Sequence, residues 1–382
     1  MNDSTDVLVV GAGVIGASCA AHLARAGHRV TVVEAADQPA TGSTGRSFGA
    51  VRGQWADPLN VELSWASLQL LRDFKADHGI DIGYLPVGYL MLISEAHWNS
   101  QLAAVELQRS NGVPVEVIGV AEAAEITPFV TDGIVGATLC RADGFIDPSG
   151  LTRAYLDLAE AAGATVRFGH PVRSLTVRAD GAWEVEAGPA SITAQYVVNA
   201  AGGWGGELGA LAGLPLPVVH SRRSIYAADA TGFDRSLPMT IDFTSGVFLR
   251  TRGDHVLFSL APTGQAPGYF DVPDWDWFET VYPAAVARFP WLGDLPLDRA
   301  ASWGGTYEVT PDMQGILGAH PDAPTWVNAC GFSGHGLMQS PVIGRLVTEQ
   351  ISAGAISSFD VSGLRVERFA DAGDLQRTGL VF

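Results

Sequence analysis

Three glycines and one glutamate near the start of the chain are spaced for nucleotide chemistry. Gly11, Gly13 and Gly16 stand in the phrase GAGVIG, and Glu34 follows eighteen positions after the last of them. Glycine at the first position permits a tight turn from strand to helix. At the second it lets a pyrophosphate come against the backbone, and at the third it lets helix and strand pack closely. The helix that begins there turns its N-terminal amides toward an anion. A carboxylate ending the next strand accepts from ribose hydroxyls and disfavours a 2′-phosphate, because two negative charges would face each other. Glycines that only shaped a turn would not need Glu34 in that register, so the spacing points to a bound dinucleotide.

The turn does not separate FAD from NAD, but the residues after it do. A nicotinamide enzyme would continue with further parallel βα units. Here ATGSTGRSFGAVRGQW follows at once, and Gly42, Ser43, Thr44, Gly45 and Arg46 make a small, hydroxyl-rich loop suited to a pyrophosphate or a flavin edge.

These groups need a scaffold, and its elements are legible along the chain. Residues 6–34 read as strand, turn, helix and strand, a βαβ unit. Apolar residues recur at helical spacing from Asn60 to His78, and YLPVGYLMLIS then reads as strand, turn, strand. A helix over roughly Pro148 to Ala162 precedes a small meander that returns to a buried strand at YVVNAAG. Residues 216–262 alternate as antiparallel strands placed to cover the cofactor. A Trp- and Pro-rich passage leads to a strand at TWVNAC, a loop at GFSGHGLMQSP and a helix from about Pro341 to Gly354. No long linker interrupts the chain, so the expected fold is α/β with two interleaved domains. Segments 1–80, 140–215 and 300–382 are assigned to the dinucleotide domain, and 81–139 and 216–299 to a substrate domain.

Composition narrows the function classes. A formal charge of −18 repels nucleic acid and anionic lipid, so an anionic ligand must be met by local features. Cys19, Cys140 and Cys330 lie far apart and in no metal-ligand spacing, which makes them small buried hydrophobes rather than a disulfide or zinc framework. The first residues carry no basic leader, and no apolar run approaches membrane-spanning length, so a cytoplasmic location is expected.

The chain resembles the amine- and amino-acid-oxidising FAD family that includes D-amino-acid oxidase, glycine oxidase, sarcosine oxidase and the beta subunits of heteromeric sarcosine oxidase and proline dehydrogenase. Five phrases in family order carry the resemblance: VVGAGVIGAS with VVE, TGSTGRSFGAVRGQW, DGFIDPSGL, VVNAAGGWGGELG, and GGTYEVTPDMQGILG with GFSGHGLMQSP. It implies a discontinuous flavin domain of the glutathione-reductase type, roofed by an antiparallel substrate-domain sheet. It also places FAD contacts on Val14, Ile15, Ala35, Ser47, Val172, Ala200, Gly202, Trp204, Gly331, Ser333, Gly334, His335, Gly336, Leu337 and Met338, besides the turn, Glu34 and the hydroxyl-rich loop.

The same resemblance implies three catalytic positions. Arg52 stands where sarcosine oxidase binds the substrate carboxylate, a role that suits a bidentate cation. Tyr307 falls near that carboxylate, and His335 falls close to flavin and substrate. The competing readings are an ion-paired structural arginine, a core tyrosine and a loop-shaping histidine. On a strand, side chains alternate, so at most one of Arg222 and Arg223 faces the site.

Departures from sarcosine oxidase are equally informative. Gly305 replaces that enzyme's flavin-linking cysteine, which implies non-covalent FAD, and Met338 replaces a second carboxylate-binding lysine. The oxygen-activating lysine aligns near Ser259, and Lys75 is the one lysine in the whole chain. Without a lysine there to stabilise superoxide, a dehydrogenase is favoured over an oxidase, although an arginine or histidine could substitute.

The implied activity is oxidation of an amine or amino-acid C–N bond by hydride transfer to flavin N5, the imine then hydrolysing. Electrons pass on to oxygen, a quinone or a partner redox subunit. Two alternatives stay open: a 2-hydroxy-acid dehydrogenase, and a flavin subunit that works only in a heteromeric complex.

Overall fold

A computed structural model describes residues 3–233, 235–261 and 267–370. Two eight-stranded sheets organise the chain. The first is largely parallel and runs, from edge to edge, Ile316–His320, Ala323–Cys330, Ala190–Asn199, Asp3–Val10, Val30–Val33 and Thr165–Arg167. A meander of Val172–Val177 and Trp183–Ala187 is joined antiparallel to the start of Ala190–Asn199, which then continues parallel to the first strand. This matches the meander expected from the alternating pattern.

The helix Val14–Arg25 is buried along nearly its whole length, which explains its composition. Gly16, Ala17, Ser18, Ala20, Ala21 and Ala24 let it lie close between the sheet, the helix Pro148–Ala161 and the helix Gly336–Ala353. Two further helices start where capping chemistry directs. Asp57 accepts from the Asn60 amide before Pro58, and Asp147 accepts from the Ser149 amide before Pro148. The former ends at Gly79 with φ of 71°.

The last helix begins at Gly336, five residues before its expected start. Pro341 marks no boundary because its missing amide is offset locally: the Ser340 hydroxyl donates to the Leu337 carbonyl at 2.9 Å, the acceptor an amide at 341 would have reached. Much of the expected loop is therefore helix, with its N-terminus in the heart of the molecule.

The second sheet is the expected roof, ordered Leu297–Val309, Val219–Asp229, His255–Leu260, Val247–Arg252, Met239–Asp242, Tyr89–Ser94, Ile134–Cys140 and Val115–Ile118. One pair departs from the antiparallel expectation, Met239–Asp242 running parallel to Tyr89–Ser94. The phrase YLPVGYLMLIS yields one strand rather than two, since its first half makes only a bridge from Leu85 to Phe145. Pro86 supplies no ladder donor there. The strand Leu297–Val309 pairs with Val219–Asp229 along most of its length, so a domain boundary at 300 falls inside a roof strand. Trp275–Arg288, in the Trp- and Pro-rich passage, is a helix capped by Asp274 and tolerating Pro283.

The contact between the first and last helices is tight enough to test. A Cβ on Gly344 would stand 2.7 Å from the Ser18 carbonyl carbon. Helix propensity alone would make Gly344→Ala stabilising by about 1 kcal/mol. Overpacking against main chain costs about 1–3 kcal/mol, so a net loss is expected, read as a lower urea midpoint with an unchanged slope. A raised midpoint would show that the two helices can part.

Candidate active site

Two adjoining cavities run from the glycine turn toward the roof. The outer groove, about 600 Å³, is lined by Gly11, Gly13, Val14, Ile15, Glu34, Ala35, Gly42, Ser43, Thr44, Val172, Ala200, Gly202 and Trp204 among others. The inner cavity, about 130 Å³, is lined by Ser47, Arg52, Trp55, Tyr89, Tyr307, Glu308 and the Ser333–Met338 stretch, beneath Met239, Ile241 and Phe248 of the roof. Val14, Ile15, Ser43, Thr44 and Glu308 border both.

The turn is built by close main-chain approach. Gly11 has φ of 108°, and a side chain there would overlap the Ala200 carbonyl, whose strand it adjoins. A Cβ on Gly16 would overlap the Gly11 carbonyl, so Gly16 serves packing and does not line the groove. Gly13 leaves the helix N-terminus open toward the Thr44 hydroxyl, which accepts from the Val14 amide at 3.2 Å. Glu34 is locked at the strand end by the Ala12 amide at 2.7 Å and the Ala36 amide at 2.9 Å. No arginine or lysine is among the described residues lining the groove, so the anion of a dinucleotide is met by amides and helix dipole. That agrees with the acidic net charge.

Besides Gly16, two expected cofactor contacts sit elsewhere. Arg46 directs its guanidinium to the carbonyls of Thr41, Asp271 and Gly304 and lines neither cavity. It ties the hydroxyl-rich loop to the roof. Gly331 also lines neither, and its amide donates to Glu308 at 2.9 Å.

In the inner cavity Arg52, Tyr307 and His335 come together as expected. Arg52 is 5% exposed, its guanidinium carbon 3.9 Å from the Trp55 ring centroid and 5.9 Å from that of Tyr89. Burial lowers its proton affinity, while Tyr89, Asp143 and Tyr307 oppose that fall; a guanidinium remains a cation regardless. Its loop is anchored by Asp143, which accepts from the Gly53 amide at 2.8 Å and from Gln54 at 2.9 Å. Burial pushes the Asp143 carboxyl up to about 6.

Fully buried, His335 lies edge-on to Trp55 with centroids 4.3 Å apart, and burial pushes it down to about 3, with Arg52 adding to the effect. It is therefore neutral. Its Nε2 is buried without a protein partner. Gly334 passes against the Tyr307 ring, 2.6 Å from a would-be Cβ, with φ of 93°. Ser333 holds φ of 51°, a conformation unusual for a side-chain-bearing residue, secured by its amide to the Glu308 carbonyl at 2.8 Å.

Arg222 and Arg223 do face opposite ways. Arg222 pairs with Asp274 at 2.8 Å, whereas Arg223 stacks over Tyr307 at 4.3 Å, behind the cavity wall. Trp55, Tyr89, Asp143 and Glu308 were not among the expected site residues. Glu308 alternates with no helical or metal-ligand pattern to flag it, and only its place beside Tyr307 hints at the site. Ser259 is buried and donates to the Ser224 carbonyl, and Lys75 pairs with Asp81 on the surface. Among the described residues no cluster could hold a metal ion, and no helix is long and apolar enough to cross a membrane.

The groove fits the FAD that the fold implies: glycines leave a backbone cradle, and Glu34 is oriented at the strand end. Glu34→Ala strands two amides, which costs roughly 1–3 kcal/mol. Purified protein should then retain at most about a tenth of the FAD of the wild type, measured by absorbance after gel filtration; full retention would remove Glu34 from the binding site.

Comparison with known proteins agrees with this geometry. A family model described as "DAO: FAD dependent oxidoreductase" matches residues 6–350. FAD-dependent oxidoreductase domain-containing protein 1 of Bos taurus is 30% identical over 96% of this chain and 85% of its own. Mitochondrial dimethylglycine dehydrogenase of Rattus norvegicus is 27% identical over 96% of this chain, which spans 45% of that protein. The crystal structure of L-proline dehydrogenase from P. horikoshii superposes with a TM-score of 0.90 at 27% identity, covering 98% of this chain and 100% of that one. The chain is a member of the DAO family of FAD-dependent oxidoreductases, related to amino-acid- and amine-oxidising enzymes.

Proposed function

We propose that this enzyme oxidises the C–N bond of an amino acid, with a secondary or N-alkyl amine favoured, and works as a dehydrogenase. The observation that carries the reading is one buried guanidinium, Arg52, in a small, mostly apolar cavity that opens from the dinucleotide groove. A carboxylate entering that space exchanges water for a charge-assisted pair, which fixes its α-carbon. The guanidinium lies over the Trp55 ring and near that of Tyr89, and Asp143 fixes the loop behind it.

Met239, Ile241, Phe248 and Phe48 leave room for an apolar substituent and offer no second cation for another carboxylate. The cavity's apolar walls and the Arg52 charge favour the neutral amine, the form that can release a hydride, over the ammonium. His335, neutral, can share one hydrogen bond with that amine without taking on charge. FAD, when bound, supplies the two-electron acceptor. The amides at the start of the Gly336–Ala353 helix, whose first residues line the cavity, favour negative charge arriving there.

Gly305 has no side chain for a covalent link, and no cysteine lines either cavity, which supports non-covalent FAD. The absence of any lysine from the cavity lining supports a dehydrogenase. Dimethylglycine dehydrogenase and L-proline dehydrogenase, two relatives, point the same way.

A panel of proline, N-methyl amino acids, D-amino acids and 2-hydroxy acids, mixed with holoenzyme without oxygen, tests this by flavin bleaching. Bleaching by an amino acid and by no hydroxy acid is expected; the reverse pattern would sink the reading. Arg52→Met should lower kcat/KM for the responding amino acid by at least about thirtyfold, chiefly through KM. An amine lacking the carboxylate should lose far less. Equal losses for both would make Arg52 structural. Because burial pushes the His335 imidazolium down to about 3, the ring is neutral around pH 7, and His335→Asn should leave the shape of the pH profile unchanged there.

A further inference from the structure

Glu308 is a buried ionisable group with no part in the chemistry above. It borders both cavities at the throat where groove passes into inner cavity, together with Val14, Ile15, Ser43 and Thr44. Its hydrogen bonds come from main chain, Gly331 donating to Oε2 at 2.9 Å and the Phe332 amide adding to it.

The groups around it do not offset the loss of water. Cross-strand from Glu308 stands His220, whose Nδ1 lies 3.0 Å from the Thr306 hydroxyl and whose basicity is lowered by burial. The Cys330 thiol is pushed up by burial and His335 down, so neither carries charge at neutral pH. Arg223 is stacked on Tyr307, and Arg368 is paired with Asp312 at 2.7 Å. Arg52 lines the same inner cavity, yet burial outweighs the two amides and pushes the Glu308 carboxyl up to about 7.

The position of the throat bears on which part of FAD it would hold. With the nucleotide and pyrophosphate end at the glycine turn and Glu34, and the reacting end in the inner cavity, the portion crossing between them would be the oxygen-rich polyol linker. An anion there would face the pyrophosphate charge without water to screen it, whereas a neutral acid can donate. We propose that Glu308 is a cofactor-holding residue that works as a neutral acid, donating a hydrogen bond to an oxygen of the FAD linker and losing it on ionisation. The sign follows: the protonated form binds, so affinity is full below the raised value and falls as pH rises through it. This rests on the family's cofactor and not on the proposed substrate.

The test titrates apoprotein with FAD, followed by quenching of flavin fluorescence, from about pH 6 to about pH 8.5. Wild-type Kd should weaken by about tenfold across that range. Glu308→Gln, a neutral donor, should bind tightly with no such slope. Glu308→Leu should bind about fivefold more weakly than Glu308→Gln at every pH. A flat wild-type profile, or the same slope in Glu308→Gln, would overturn the proposal, as would equal affinities for the glutamine and leucine variants. Circular dichroism checks folding; if the leucine variant fails it, wild type against Glu308→Gln decides alone.

Discussion

The structure depends on how closely main chains approach at Gly11. Its amide donates to the Val33 carbonyl at 2.8 Å, and the Ala200 amide donates to the Val10 carbonyl at 3.0 Å, so three parallel strands end level with one another. A side chain on Gly11 would push Ala200 away, and one on Gly16 would push the first helix off the turn. With both absent, the N-terminus of that helix, Glu34 and the Gly202 turn all face one groove. The small-residue face of the same helix then allows the last helix to lie against it, which delivers the Gly336 amide end beneath the roof.

Desolvation governs the electrostatics that result. The inner cavity holds a cation, neutral histidine and two buried carboxyls nearby, and in each case burial is the first cause of the shifted proton affinity. A carboxyl costs less there as the acid, an imidazole less as the neutral base, and a guanidinium alone keeps its charge because its intrinsic basicity is too high to lose. One fixed positive charge in apolar surroundings is an effective anchor for a small carboxylate, and it needs no lysine to assist it.

Much of this was legible along the chain. The phrase GAGVIG with Glu34 announced the groove because a turn has few backbone solutions, and each calls for glycine at set positions. Apolar spacing announced the helix expected from Asn60 to His78, which begins two residues earlier at Pro58, and the second helix begins at Pro148 as expected. Pro341 misled, because the hydroxyl that compensates for its missing amide is a local tertiary detail, as did the first half of YLPVGYLMLIS, which reads as strand until its partner is known.

What the sequence by itself determined was therefore the set of groups whose role is local: the dinucleotide turn, the carboxylate at the strand end, the hydroxyl-rich loop and the small-residue helix. Only the tertiary structure decided which distant residues share a cavity. It placed Asp143 behind Arg52, turned Arg223 to Tyr307 and Arg222 to Asp274, spent Arg46 on carbonyls, and set Glu308 at the throat. The physical reason is that a side chain's burial and charge state depend on what packs over it, and here the covering strands, loops and helices come from segments hundreds of residues apart.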